Sequence, residues 1–192
     1  MKQNTIALVY DFDGTLTPKT MQEYTIIPRL KLNSNKFWAD ILNEANATDG
    51  EIMMIYMRQL ISHAESLGIK ITKDEFTFMA DKIKYFRGVK EWFTNINDYI
   101  KKNHKNIKVS HYVISAGHHE ILQATSIRKN LTNIFGSQYY FDKHGMLHFL
   151  KLLLQILQKH SFFSELIKVK RSFPNQFIVI CLKIAALFHL KI

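Results

Sequence analysis

The sequence predicts an α/β fold in which a parallel sheet carries a helical segment inserted after its first strand. Two short apolar runs, residues 6–10 and 109–114, each end abruptly in small or polar residues, which is typical of buried strands. The long stretch between them is dominated by apolar residues at helical spacing. Strands joined by helices in this order run parallel through a right-handed crossover, so their carboxyl ends meet at one edge of the sheet.

The first apolar run leads directly into two carboxylates, Asp11 and Asp13. Strand geometry sends both side chains to the same face. Gly14 then allows the backbone to turn sharply, and Thr15 adds a hydroxyl and an amide. Open α/β sheets bind ligands at the carboxyl ends of their strands, so we expect the chemistry here. The alternative is an ordinary acidic turn with Gly14 at its corner.

Residues 18–87 carry helical rather than strand patterning. Apolar residues recur at helical spacing from residue 52 until Gly68, and Thr72 with Glu75 fits a capping box that opens another helix. We predict a helical insertion over this range, with a simple crossover connection of several helices as the alternative. From Gly88 onward one further amphipathic helix is predicted to pack on the sheet. Its apolar stripe contains Val89, Trp92, Phe93, Ile96, Tyr99 and Ile100.

The second apolar run ends in Ser115, Ala116 and Gly117, and a helix is predicted to follow from residue 118. A parallel crossover places Ser115 at the same edge as Asp11. Free N–H groups at the helix start would face the same anion, although an ordinary N-cap explains the serine equally well. His118 and His119 point about 100° apart on a helix, so they do not share a metal, and we interpret them as exposed helix-start residues. Residues 136–145 predict a strand and a tight turn.

These motifs resemble the first two motifs of the haloacid dehalogenase-like (HAD) superfamily, most of whose members are phosphatases or other phosphotransferases. The first motif is Asp11-Phe12-Asp13-Gly14-Thr15-Leu16-Thr17, and the second is Ser115-Ala116-Gly117 after an apolar strand. The resemblance implies a Rossmann-like core with a helical cap that selects the substrate. It also implies a domain division into a core of residues 1–17 and 88–145, a cap of residues 18–87 and an atypical tail of residues 146–192.

The resemblance also assigns roles to residues. Asp11 would be the nucleophile that takes up the phosphoryl group, and Asp13 would protonate the leaving group and then activate water. The Asp11 carboxylate and the Asp13 backbone carbonyl would hold Mg²⁺, which prefers one or two carboxylates plus phosphate oxygens. The residues implied to bind phosphate are Gly14, Thr15, Ser115, Ala116 and Gly117.

The resemblance stops at about residue 145. A HAD phosphatase needs a lysine from a third motif and an acidic pair from a fourth, yet Glu165 is the only carboxylate side chain after Asp142. The tail lysines Lys151, Lys159 and Lys168 stand in no recognisable motif. When codons permitted for residues 159–169 are read in a shifted reading frame, one possible translation is similar to the third motif of the family. We therefore hypothesise a frameshift near residue 146, with a genuine tail of two or three helices as the alternative; the coding DNA decides between them.

Net charge and cysteine content restrict the classes of protein to which the chain can belong. The formal net charge is +10, of which residues 146–192 contribute +6 and residues 1–145 only +4, without an aromatic-interleaved basic motif. Cys181 is the only cysteine, which favours a reducing compartment. Residues 177–190 are apolar but interrupted by Lys183 and short for a bilayer span, and no signal peptide is evident. We expect a soluble cytoplasmic protein that binds neither nucleic acid nor membrane.

The favoured function is Mg²⁺-dependent hydrolysis of a small phosphorylated substrate through an aspartyl-phosphate. The alternative is a truncated, catalytically inactive remnant that retains part of the phosphate and Mg²⁺ site, because phosphoryl transfer depends on the charges of the two absent motifs. A surface-binding role for the basic tail ranks third. The sequence contains no motif that indicates a particular substrate or oligomeric state.

Overall fold

A computed structural model describes residues 4–148 and, as backbone, the strand Phe177–Leu182. Within these residues the chain forms an α/β fold whose main sheet is parallel, as predicted. The strands in chain order are β1 (Thr5–Tyr10), β2 (Lys108–His118), β3 (Asn133–Ser137), β4 (Tyr140–Phe141), β5 (Leu147–His148) and β6 (Phe177–Leu182). The sheet has the order β3-β2-β1-β6, and β4 and β5 form a separate antiparallel pair.

Helices fill the sequence between β1 and β2. They are α1 (Met21–Tyr24), α2 (Ile26–Arg29), α3 (Ser34–Thr48), α4 (Ile52–Ser66), α5 (Lys73–Met79) and α6 (Val89–Asn103), and a short α7 (His119–Ala124) follows β2. The predicted capping box is present, because the Thr72 hydroxyl accepts from the Glu75 amide and the Glu75 carboxylate accepts from the Thr72 amide. The helix that this box opens ends at Met79 and continues as a 3-10 turn over Ala80–Lys82. No helix of the described ranges is both long enough and apolar enough to span a membrane.

The apolar stripe of α6 is narrower than the sequence predicts. Val89 and Phe93 are buried, whereas Tyr99 is 61% exposed. At 100° per residue Tyr99 lies about 80° around the helix from Val89, which puts it at the margin of the face that meets the sheet. The prediction that Tyr99 packs in the core is therefore wrong.

Two predicted boundaries also differ. The second strand continues through the serine motif to His118, so α7 begins one residue later than expected. The strand predicted at residues 136–141 is split between the end of β3 and β4. The tight turn that follows is present: the Gly145 amide donates to the Asp142 carbonyl, and Gly145 has a φ of +73°.

Part of the tail of residues 146–192 contributes to the sheet. β6 runs parallel to β1, with Thr5 opposite Phe177 and Tyr10 opposite Leu182. The predictions about Lys151, Lys159, Lys168, Glu165 and the decoded range 159–169, including the alternative of two or three helices, lie outside the described residues.

A chain of hydrogen bonds joins α6 to the sheet beneath the end of β1. The Trp92 indole can only donate, and it donates to the Tyr10 hydroxyl at 2.9 Å. The Tyr10 proton therefore goes to Nδ1 of His111, at 2.8 Å. Nε2 of His111 then carries the ring proton and donates to Asn97 Oδ1 at 3.1 Å. Burial lowers the His111 pKa to about 4, which keeps the ring neutral and this tautomer in place.

Replacing Tyr10 with Phe should destabilise the fold, because the Trp92 indole and the His111 ring would each lose a buried partner. We expect a loss of about 1–3 kcal/mol in the free energy of unfolding, measured by urea denaturation. Tyr99→Phe is the matched control, since Tyr99 is largely exposed, and it should change stability by less than about 0.5 kcal/mol. Equal stability of the Tyr10 variant and the wild type would contradict the network.

Candidate functional site

Both sequence motifs lie at the carboxyl edge of the parallel sheet. The pairing of Tyr10 with Val113 aligns the ends of β1 and β2, with Asp11 directly after Tyr10 and Ser115 two residues after Val113. The ladder between β2 and β3 loses its register between Ile114 and His118, which frees the Ser115–Gly117 backbone from regular strand pairing. The fold therefore places the two motifs on neighbouring strands at one edge.

The loop after β1 is wound around a single carbonyl group. The Phe12 carbonyl accepts from the amides of Thr15, Leu16 and Thr17, at 3.2, 2.9 and 3.3 Å. Gly14 has a φ of +72°, in the left-handed region that favours glycine. Gly14 is exposed, while Thr15 is fully buried and its hydroxyl has no hydrogen-bond partner. The first motif thus forms a compact turn with an exposed tip.

The two carboxylates of this loop have different surroundings. Asp11 is exposed, and its Oδ1 accepts from the Phe12 amide at 2.8 Å. Asp13 is half-buried, and its Oδ1 accepts from the Met21 amide at the start of α1, also at 2.8 Å. Asp13 therefore fastens the first helix of the inserted segment to the edge of the sheet.

The environment of Asp13 raises its pKa from 3.8 to about 7. Burial is the largest cause, and it outweighs the hydrogen bond from Met21, which lowers the pKa. The negative charges of Asp11 and Glu23 raise it further, so the two motif carboxyls are close enough to interact. Near neutral pH, Asp13 can both hold and release a proton.

The second motif supplies a hydroxyl and an exposed backbone. Ser115 is buried, and its Oγ accepts from the Gly117 amide at 2.9 Å. Ala116 is exposed, and its carbonyl accepts from the hydroxyls of Tyr56 and Ser137 at 2.7 and 2.9 Å. The Tyr56 contact joins α4 of the inserted segment to this motif.

Gly117 lies directly against the side chain of Met21. A Cβ at residue 117 would lie 2.2 Å from the Met21 Cε and 2.5 Å from its Sδ. The same sulfur accepts from the His118 amide at 3.0 Å, and Met21 is fully buried. Met21 thus contacts both motifs: its amide binds Asp13, and its side chain lies against the second motif.

The interpretation of His118 as an exposed residue is wrong. The residue is fully buried because β2 continues through it, and its ring stacks on Tyr139 and meets Tyr56 and Phe76 edge-on or tilted. Neither ring nitrogen has a hydrogen-bond partner, and burial lowers its pKa to about 3. His119 is half-buried beside an open cleft of about 520 Å³.

Three residues near the motifs carried no functional signal in the sequence. Met21 and Gln22 stand at the start of α1, and only the structure shows that Asp13 binds that helix start. Tyr56 belongs to an ordinary apolar pattern in α4, and its contact with Ala116 spans sixty residues. Long-range contacts of this kind leave no periodic trace in a sequence.

The residues at this edge fit a small hard cation. Asp11 and Asp13 supply carboxylate and carbonyl oxygens, and the mutual repulsion of their carboxylates is what a cation relieves. No cluster of three or more His, Cys, Asp or Glu side chains suited to a metal occurs among the described residues. A cation here would therefore retain several waters or substrate oxygens, which is the usual behaviour of Mg²⁺.

No protein-family model and no curated protein sequence matches the chain. Solved structures do match. A HAD family hydrolase from Salmonella enterica subsp. enterica serovar Typhi aligns with a TM-score of 0.57 and 16% identity, over 93% of this chain and 56% of that one. This chain therefore spans little more than half the length of that hydrolase.

Two structures of phosphoserine phosphatase also match, one with a phospho-aspartyl intermediate analogue and one with bound substrate. Their TM-scores are 0.55 and 0.57, each with 15% identity over 97% of this chain and 81% of theirs. At this identity the likeness concerns the fold. The chain has the α/β fold of HAD-like hydrolases.

Replacing Asp13 with Asn should change how stability depends on pH. Because the pKa of Asp13 is raised in the folded state, the folded wild type binds more protons than the unfolded chain between about pH 4 and 7. Its stability should therefore fall across this range relative to Asp13→Asn, whose side-chain oxygen can still accept from Met21. Urea denaturation at several pH values measures the difference.

Asp40→Asn is the control, because Asp40 is half-exposed and pairs with Lys36 at the surface. The stability of the Asp40 variant should depend on pH in the same way as that of the wild type. If the Asp13→Asn curve ran parallel to that of the wild type from pH 4 to 7, the raised pKa would be refuted.

Proposed function

We propose that the chain is a HAD-like phosphatase that hydrolyses small phosphomonoesters through an aspartyl-phosphate on Asp11. The observation that supports this most is the pair of carboxyls after β1: Asp11 is exposed, and its neighbour Asp13 has a pKa of about 7. This reaction needs a nucleophilic carboxylate beside an acid whose pKa lies near neutrality. The shared fold with phosphoserine phosphatases supports the same chemistry.

In the first step an Asp11 carboxylate oxygen attacks phosphorus, and the bond from phosphorus to the ester oxygen breaks. The departing ester oxygen takes the proton of Asp13, and the organic part leaves as the free alcohol. In the second step the Asp13 carboxylate takes a proton from water, and that water attacks the aspartyl-phosphate. Inorganic phosphate departs, Asp11 is restored, and Asp13 is protonated again for the next turnover.

The phosphate would be bound by the two motifs. Gly14 and Thr15 offer an exposed turn and an unpaired hydroxyl, and Ser115, Ala116 and Gly117 offer a hydroxyl and irregularly paired backbone. The Gly117 amide now donates to Ser115 Oγ, so a bound phosphate would compete for that donor. Mg²⁺ held by the Asp11 carboxylate and the Asp13 carbonyl would supply charge neutralisation at the phosphoryl oxygens.

The domain division stands as part of this proposal. Residues 1–17 and 88–145 form the catalytic core, and residues 18–87 act as the cap that selects the substrate. Residues 146–192 are an atypical tail, of which β6 joins the sheet beside β1. Two contacts support coupling between cap and core: Met21 to Asp13 and Tyr56 to Ala116. We expect a small phosphorylated substrate rather than nucleic acid, because most of the excess positive charge lies in the tail. We expect a reducing cytoplasm because Cys181 is the only cysteine.

A second candidate is a catalytically inactive remnant that binds phosphate or Mg²⁺ weakly. It is favoured by the strand beside the site. β6 ends next to Tyr10 at the catalytic edge, and the sequence that follows it, from Lys183 to the end of the chain, contains no carboxylate side chain. Phosphoryl transfer depends strongly on such charges, so their loss would lower the rate by orders of magnitude.

Asp11→Asn separates the two candidates. If the chain is an enzyme, the purified protein should release phosphate from p-nitrophenyl phosphate in the presence of Mg²⁺, and the Asp11 variant should be at least about 100-fold slower because it lacks the nucleophile. Asp40→Asn is the control and should retain full activity, since it changes a half-exposed aspartate in a surface ion pair. Absent activity, or equal rates for the wild type and Asp11→Asn, would refute the phosphatase and support the catalytically inactive remnant.

A further inference from the structure

An open groove lies where the chain returns from the inserted helices to α6. It has a volume of about 410 Å³ and is lined by residues 83–88 together with Lys90 and Glu91. Lys84, Arg87 and Lys90 bring three positive charges to this short stretch, against one negative charge from Glu91. All four of these residues are exposed. The groove is therefore a strongly basic surface.

The positive charges of the groove are not neutralised by the part of the chain that the structure describes. The ion pairs among the described residues lie elsewhere, on α2, α3, α4 and α5, and none of them includes Lys84, Arg87 or Lys90. Like charges this close in sequence and on one surface repel one another, and a bound anion relieves that repulsion. The groove therefore has the electrostatics of an anion site.

The wall of the groove is fixed against the first motif. The Lys90 ammonium lies 5.6 Å from the centroid of the Tyr85 ring, where cation–π attraction holds it. The Tyr85 ring in turn meets the buried Phe12 ring edge-on, with a centroid distance of 6.4 Å. The Phe86 amide also donates to the Leu16 carbonyl at 3.0 Å. These contacts keep the basic segment beside the loop that follows β1.

The groove lies at the same edge of the sheet as Asp11. Trp92, in the first turn of α6, binds Tyr10, which directly precedes Asp11. After α6 ends, the chain enters β2 at Lys108, which pairs with Thr5 at the opposite end of β1. The start of α6 is therefore at the carboxyl edge, and the basic groove beside it lies near the proposed phosphate chemistry.

We propose that this groove binds an oxyanion, a phosphate or carboxylate group, through Lys84, Arg87 and Lys90. The Arg87 guanidinium offers paired donors that match two oxygens of such a group, and the two ammonium groups add positive charge. Binding of the oxyanion does not depend on the proposed function, because no residue of either motif lines the groove. Two sources supply this chemistry: a separate anion, or a second anionic group on the ester whose phosphate reacts at Asp11.

Titration of the full chain with inorganic phosphate tests the groove directly. Proton–nitrogen correlation NMR would follow the backbone amides at low ionic strength, with EDTA present and no Mg²⁺, so that binding at the Asp11 edge is not assisted by a cation. We expect the amides of residues 84–91 to shift until they saturate. Sodium chloride at the same ionic strength should produce no saturating shift. Absence of a saturating shift at residues 84–91 would overturn the proposal.

Three charge variants of α6 and its approach sharpen the test. Arg87→Gln combined with Lys90→Gln should weaken phosphate binding by at least about tenfold. Glu91→Gln removes the negative charge from the groove and should strengthen binding by about threefold, a gain that poor folding cannot imitate. The matched control combines Lys101→Gln with Lys102→Gln, which removes the same charge from exposed residues at the other end of α6 and should leave the affinity unchanged. Equal losses in the two double variants would show a net-charge effect and overturn the site.

A second comparison distinguishes the two sources of the oxyanion. Calorimetry with Mg²⁺ would compare alkane bisphosphonates, which carry a phosphonate at each end, with alkylphosphonates of the same length. If the oxyanion belongs to the substrate, a bisphosphonate should bind at least about tenfold more tightly, and Arg87→Gln with Lys90→Gln should remove this gain. Equal affinities together with a saturating phosphate shift at residues 84–91 would identify a separate anion.

The outcomes also separate the groove from the proposed function. A saturating shift at residues 84–91 in a chain that hydrolyses no ester refutes the phosphatase activity but supports the oxyanion site. Hydrolysis of an ester without any saturating shift at these residues does the reverse.

Discussion

The hydrogen bond from the Met21 amide to the Asp13 carboxylate is the interaction on which the rest of the site depends. It fastens the inserted helices to the edge of the sheet, and it partly offsets the burial that raises the pKa of Asp13. The Met21 side chain extends the same connection to the second motif, where it packs against Gly117 and accepts from the His118 amide. One residue thus contacts both motifs.

The α/β class and the motif positions were predictable because they depend on local patterns. A short apolar run before Asp11, a similar run before Ser115 and a capping box at Thr72 are each encoded by neighbouring residues. The burial of His118 was not predictable, because it follows from three aromatic rings distant in the sequence. The exposure of Tyr99 depends on how wide a face of α6 meets the sheet, which the helical period alone does not state.

The roles of the site residues are a proposal. The same structure contains features that favour a phosphatase and one that favours the inactive remnant. The fold brings Asp11 and Ser115 to one edge and gives Asp13 a pKa suited to acid and base chemistry. The neighbouring strand β6 also ends at that edge, but the sequence after it brings no carboxylate. On the proposed function, Asp11 would be the nucleophile and Asp13 the proton carrier, with fewer charges available for the phosphate and the cation.

The central claim is that Asp11 accepts a phosphoryl group, and the most direct measurement is the capture of that state by beryllofluoride. Fluorine NMR of the purified chain with Mg²⁺, beryllium and fluoride would report a bound acyl-phosphate mimic through new resonances distinct from those of free fluoroberyllates. Such resonances should appear with the wild type and disappear in Asp11→Asn, whatever the rate of turnover. Their absence from the wild type, or their persistence in Asp11→Asn, would contradict the account.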